Sequence, residues 1–168
     1  MSPGWCGLRS VTGWAHLEAT KQGCHDGVVA MRYILFLVFV LGAISARAEP
    51  DISAPQALER SKQGSLLIID IRTPEEWRET GVIPGARRVD FYRGPNVLLK
   101  SVLEMVDGNK NAAIALVCHS GSRTIQAQRF LQGQGFTQVY NLKEGMGGSL
   151  AGPGWLNRQL PLEPCPRC

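Results

Sequence analysis

The chain carries no internal repeat and no low-complexity tract, which sets aside a repeat array or a disordered scaffold. Its apolar run at residues 34–44 is eleven residues long. As a helix that run rises only about 16 Å against a hydrocarbon core of about 30 Å, which argues against a membrane span. Cysteine is sparse, five in 168 residues, so the fold must rest on a packed core and not on a disulfide framework. No large charge imbalance marks the part expected to fold. Of the 18 Lys and Arg, Arg9, Lys21, Arg32 and Arg47 precede residue 49; of the 14 Asp and Glu, Glu18 and Asp26 do. Residues 49–168 therefore carry a net charge of about +2, which points away from nucleic acid as a partner.

The short apolar run has a specific setting. Met31-Arg32-Tyr33 precedes it and Ala46-Arg47-Ala48 follows it, the three parts of a secretory signal. Residues 31–48 are expected to be a signal peptide, with translation starting at Met31 and residues 1–30 an unstructured, over-long upstream segment. A retained membrane anchor is the rival reading. The expected product is residues 49–168, exported to an oxidising, periplasmic compartment, without stable membrane insertion after cleavage, and monomeric.

Within that product the hydrophobic pattern alternates between strand and helix. A short helix is expected over residues 52–62, ended by Gly64, and a buried strand over residues 66–71. Thr73-Pro74-Glu75-Glu76 reads as a helix start, with a capping threonine, a proline in first position and acids in the first turn. A short strand near residues 88–91 and an amphipathic helix over residues 97–106 follow. The remaining elements are a buried strand at 112–117, a helix at 124–132, a strand at 138–142 and a closing helical turn at Trp155-Leu156. The order predicts an α/β fold, a mainly parallel sheet flanked by helices on both faces.

Cys118 ends the 112–117 strand and opens Cys118-His119-Ser120-Gly121-Ser122-Arg123-Thr124. In parallel sheets ligands bind at the carboxyl ends of strands, which is where this cysteine lies. Loop N–H groups, the positive end of the next helix and the Arg123 guanidinium are expected to converge on its sulfur and favour the thiolate. His119, Ser120, Gly121, Ser122 and Arg123 are the candidate substrate-binding residues and Cys118 the candidate nucleophile. Phosphate-ester hydrolysis through a phosphocysteine and sulfur transfer through a persulfide both use such a cradle. Only four residues, His119 to Ser122, separate Cys118 from Arg123, one fewer than phosphocysteine loops use. The tighter ring suits a single extra sulfur.

Several segments together resemble the rhodanese-like sulfurtransferases. They are Ile69-Asp70-Ile71-Arg72 with Thr73-Pro74-Glu75-Glu76-Trp77, Gly81-Val82-Ile83-Pro84-Gly85-Ala86, the Cys118 loop, and residues 141–148 with Trp155. The resemblance is closest to small, single-domain exported members. It implies one rhodanese-like domain and transfer of a sulfane sulfur, by way of a Cys118 persulfide, from a donor such as thiosulfate to cyanide, a small thiol or a thioredoxin-like protein. No cofactor and no metal are implied. The chain departs from the family pattern at His119, often arginine in thiosulfate-using members, and at Val82, often histidine. A histidine is only partly charged at neutral pH and holds a dianion less firmly.

Alternatives stay open at this level. A persulfide-carrying module that binds a partner without turnover shares the motif, as does, less closely, a cysteine phosphatase or arsenate reductase. Cys165 and Cys168 read as a local disulfide or idle thiols, as a redox pair that resolves a modified Cys118, or as part of a metal site short of ligands. Asp70 is expected to bond nearby N–H groups or Arg72, Arg72 to pair with Glu76, and Trp155 to pack in the core. Gly145, Gly147 and Gly148 form a low-profile loop of unassigned role.

Overall fold

Ile114–Val117 is buried at all four residues, as its unbroken apolar sequence requires, and it occupies the middle of the sheet. The computed structural model describes residues 50–168; the expectations for residues 1–30 and 31–48 lie outside them. Five strands are formed: β1 (Asp51–Ile52), β2 (Leu67–Asp70), β3 (Arg87–Arg88), β4 (Ile114–Val117) and β5 (Val139–Leu142). They pair in the order β1-β5-β4-β2-β3, every pair parallel. The α/β class expected from the sequence is the one observed.

Helices cover both faces. On one, α3 (Pro95–Met105) and α4 (Ser122–Gly133) pack Leu98, Val102, Ala127 and Leu131 against Ile69, Leu116 and Val139. On the other, α1 (Ala54–Lys62) and α5 (Gly154–Asn157) bring Ala54, Ala57 and Trp155 against Ile68, Ala115 and Val117. The period-two alternation of strand side chains thus splits one apolar run between two cores. α2 (Pro74–Thr80) starts as its sequence predicts. Thr73 accepts the Glu76 N–H at 3.3 Å and Glu76 Oε2 accepts the Thr73 N–H at 2.9 Å.

Some boundaries moved for local reasons. The first helix begins at Ala54 and not at residue 52, because Asp51 and Ile52 pair with Asn141 and Leu142 as an edge strand. The segment expected as strand near residues 88–91 leaves the sheet after Arg88. Asp90 then accepts the Tyr92 N–H at 2.9 Å and caps a 3₁₀ turn, Phe91–Arg93. The Arg72–Glu76 ion pair is replaced: the fully buried Arg72 pairs with Asp70 at 2.7 Å and reaches the Glu76 carbonyl, Thr80 and Gly81. Asp70 does bond the Arg72 N–H, at 3.0 Å.

The end of the chain lies along the loop after α2. Val82 and Glu163 form an antiparallel bridge with bonds of 2.9 and 2.8 Å. Cys165 and Cys168 are joined in a disulfide, with Arg88 Nη1 donating to Cys165 Sγ at 3.3 Å and Arg78 Nη1 to the Cys168 carbonyl at 2.7 Å. The local-disulfide reading of the tail is the state observed.

Candidate active site

From β2 the chain steps outward to β3, then returns across β2 to β4 and continues the other way to β5. Connections therefore diverge between β2 and β4, and such a point opens a crevice at the carboxyl ends of the two strands. The residues filling it are the ones that follow these strands: Thr73 and Glu76 after β2, and the Cys118 loop after β4.

Cys118 is fully buried. Its sulfur accepts the Gly121 N–H at 3.2 Å and lies 3.9 Å from the Thr124 hydroxyl. Gly121 sits at the head of the twelve-residue helix α4 with φ of 90°, a left-handed conformation that favours glycine. A Cβ there would also strike the Lys143 carbonyl oxygen, so the turn that aims its N–H at sulfur is open to glycine alone. The Thr124 hydroxyl donates to the Gly121 carbonyl at 2.7 Å and fixes the turn from inside the helix. Behind the loop, Met146 and Gly147 donate their N–H groups to the Cys118 and His119 carbonyls, both at 2.9 Å. Gly145 has a role after all: a Cβ on it would run into the His119 carbonyl, so the second loop lies flat against the first.

A cleft of about 470 Å³ opens above this turn. Its walls are Thr73, Glu76 and Tyr92 together with His119, Ser120, Ser122 and Arg123. Four of the five candidate binding residues thus line one cavity, while the fifth, Gly121, holds the sulfur beneath it. The sulfur itself has no exposed surface.

One expectation is corrected. The Arg123 guanidinium gives its Nη1 and Nη2 hydrogen bonds to Glu76 and not to the sulfur, although the Cys118 charge still acts on it. Its Nη1 and Nη2 bind Glu76 Oε2 and Oε1 at 2.7 and 2.6 Å, a two-pronged pair. The reason is electrostatic, since Glu76 stands in the cleft with its side chain 23% exposed and needs a partner there. Burial pushes the Glu76 carboxyl up, yet the Arg123 hydrogen bonds, the Thr73 N–H and the two nearby guanidinium charges hold it down at about 2. The pair in turn raises Arg123 above the ordinary arginine value. His119 Nδ1 stands 3.9 Å from the same carboxylate, and the Tyr92 ring lies 5.7 Å from the Arg123 guanidinium carbon.

Glu76, Thr124 and Tyr92 are site residues the sequence reading missed. Thr124 was visible in the motif as the helix residue six beyond the cysteine. Tyr92 gave no local signal, because its partner lies far off in the chain, and Glu76 was legible only as part of the α2 start and as an expected partner of Arg72. Among the described residues no group of three or more His, Cys, Asp or Glu is placed to hold a metal ion.

Fold and loop define an α/β domain that offers one cysteine sulfur to the head of a helix at a sheet's switch point. A family model described as the rhodanese-like domain matches residues 53–149, more than half of the chain, and the chain belongs to that family. Thiosulfate sulfurtransferase GlpE of Pseudomonas putida is 35% identical over 95 residues, 56% of this chain and 78% of that protein. A sulfurtransferase of Allochromatium vinosum is 33% identical over 97 residues, 58% and 78% of the two chains. Among solved structures, the rhodanese-like domain of Anabaena sp. Alr3790 has a TM-score of 0.53 at 26% identity, covering 71% of this chain and 82% of that one. Rv0390 of M. tuberculosis has a TM-score of 0.55 at 26% identity, covering 69% and 98%. The resemblance to the rhodanese-like family read from the sequence is borne out. α5 and the disulfide tail lie beyond the matched residues.

Proposed function

We propose that the protein is a sulfurtransferase that carries a sulfane sulfur as a persulfide on Cys118. The observation that carries the reading is the Gly121 N–H, 3.2 Å from Cys118 Sγ at the head of α4. An amide dipole and a helix N-terminus aimed at one sulfur stabilise negative charge on it, whether thiolate or persulfide. The names of the Pseudomonas and Allochromatium relatives support the same activity. In the first half-reaction the Cys118 thiolate attacks the outer sulfur of a donor such as thiosulfate. The donor's sulfur–sulfur bond breaks, sulfite leaves with the electron pair, and Cys118 holds the persulfide. In the second, cyanide, a small thiol or a thioredoxin-like protein attacks that outer sulfur and returns Cys118 as thiolate.

His119, Ser120 and Ser122 line the entrance that donor and acceptor share. We place the protein in an exported, oxidising compartment as a monomer; the Cys165–Cys168 disulfide supports that location. Steady-state formation of thiocyanate from thiosulfate and cyanide tests the proposal. Many turnovers per chain are expected, all lost in Cys118→Ser. One turnover only would favour a persulfide carrier without catalysis, and hydrolysis of an aryl phosphate without sulfur transfer would favour a phosphatase.

A further inference from the structure

Beyond the residues matched by the family model, the chain carries a second pair of sulfurs that the Cys118 site does not use. Cys165 and Cys168 are joined across two intervening residues, a ring too short to restrain the unfolded chain strongly. Both are half-buried, so part of each faces solvent. Arg88, on the edge strand β3, donates from Nη1 to Cys165 Sγ at 3.3 Å, while Arg78 of α2 holds the Cys168 carbonyl at 2.7 Å. The two arginines differ in what else they meet. Arg78 pairs with Glu75 at 2.7 Å, whereas Arg88 stands 5.9 Å from the Trp77 ring and pairs with no carboxylate among the described residues. The tail's own charges, Glu163 and Arg167, are one of each sign. Cys165 thus has an unneutralised cation in contact with its sulfur, and the Cys168 sulfur has no such partner among the described residues. No helix starts at the pair, so this cation is what sets the two sulfurs apart.

We infer that Cys165–Cys168 is a thiol–disulfide exchange site reduced by a dithiol, with Cys165 as the sulfur that leaves and Arg88 as the residue that stabilises it. The inference goes beyond sulfur transfer and does not depend on it, because Cys118 takes no part. In the first step one thiolate of the dithiol attacks Cys168 Sγ. The Cys165–Cys168 bond breaks, and Cys165 leaves with the electron pair as a thiolate beside the Arg88 guanidinium. In the second, the dithiol's other thiol gives its proton to water and attacks its partner sulfur in the mixed disulfide. Cys168 then leaves as a thiolate and is protonated by water. The dithiol is oxidised to a disulfide by two electrons, and the tail is reduced by the same two. A more stable leaving thiolate departs faster, so Arg88 acts on the rate as well as on the equilibrium. The Val82–Glu163 bridge anchors the tail two residues before Cys165 and keeps that sulfur beside Arg88.

The test mixes the folded protein, its tail oxidised, with dithiothreitol at neutral pH. The reaction is quenched by alkylation and read by peptide mass, which counts Cys165 and Cys168 apart from Cys118. Arg88→Gln should be reduced about threefold or more slowly than the wild type and should stay more oxidised in a glutathione buffer. Arg88→Lys keeps the charge and should recover most of both. Thiosulfate loading of Cys118 should change less than twofold in either variant, since Arg88 does not line that cleft. Equal reduction rates in wild type and Arg88→Gln, or a tail that excess dithiothreitol leaves oxidised in the folded protein, would overturn the inference. If Arg88→Gln does not fold, wild-type protein decides. Its reduction should slow as added potassium chloride screens the Arg88 charge, and a rate indifferent to salt would overturn the inference. A second probe, reduced thioredoxin, names the source of the dithiol. Exchange faster than with dithiothreitol at equal thiol supports a protein dithiol, and slower exchange supports a small one.

Discussion

At the scale of single residues, the site depends on charges and a turn that tolerate little change. Gly121→Ala places a methyl against the Lys143 carbonyl in a left-handed backbone, so the 118–123 turn must open. Loss of about 1–3 kcal/mol of stability is expected from urea unfolding, with slowed loading of Cys118. Arg123→Ala removes the partner of a carboxylate already short of water. Stability should fall by about 1–2 kcal/mol, and thiosulfate loading by tenfold or more, because Glu76 then faces the donor uncompensated. The double variant with Glu76→Gln should recover part of both losses. If Arg123→Ala leaves thiosulfate loading unchanged, the charge account of the cleft is wrong.

The acid behaviour follows from the same pair. Glu76 has its carboxyl held at about 2 in the folded protein against an ordinary 4.5. A depressed folded value means the stabilisation is fully present above about 4.5 and is lost as pH falls toward 2. The urea midpoint should therefore decline over that window, and the decline should be shallower in Glu76→Gln. What the sequence showed at this scale was local. The Thr73-Pro74-Glu75-Glu76 start and the Cys118 loop were legible, because each bonds within a few residues of itself. The partner of Arg123 was not, since Glu76 lies 47 residues away and its capping role already gave it a use.

At the scale of elements, a buried carboxylate ties two helices to the sheet. Glu144 accepts the N–H of Ala54 at 2.7 Å and of Gly154 at 3.0 Å, the first residues of α1 and α5, and the Arg158 Nε at 2.8 Å. Both helices lie on the same face, so one side chain satisfies donors that their starts would leave unpaired. Burial raises the Glu144 carboxyl, but these donors outweigh it and leave the group below its usual value. Glu144→Ala should cost about 2–4 kcal/mol in chemical unfolding, with the α1 and α5 amides losing hydrogen-exchange protection together. Protection lost in α4 instead would contradict the assignment. Sequence periodicity found α1 and the closing turn separately. It gave no sign that one glutamate joins them, nor of β1, whose two residues are too few to show a period.

At the scale of the whole molecule, the tail is an attachment to the domain and not one of its supports. The disulfide closes a ring across two intervening residues, and the segment is held by the Val82–Glu163 bridge and by bonds from Arg88 to Cys165 and from Arg78 to Cys168. A loop so short limits the entropic effect to about 2 kcal/mol at most. Cys165→Ser with Cys168→Ser should shift the global unfolding midpoint little and leave the Cys118 loading rate within twofold. A collapse of the fold would show that residues past the matched family domain are integral to it. The α/β class was readable because each element declares its period. Strand order depended on contacts between distant segments, and the tail's course along Val82 carried no pattern in the chain.

The most direct measurement of the central claim is the intact mass of the protein before and after thiosulfate, followed by peptide mapping. The account predicts a gain of about 32 Da, one sulfur atom, on the peptide containing Cys118 and its removal by cyanide. A mass that does not change, or a gain that maps to Cys165 or Cys168, would contradict it.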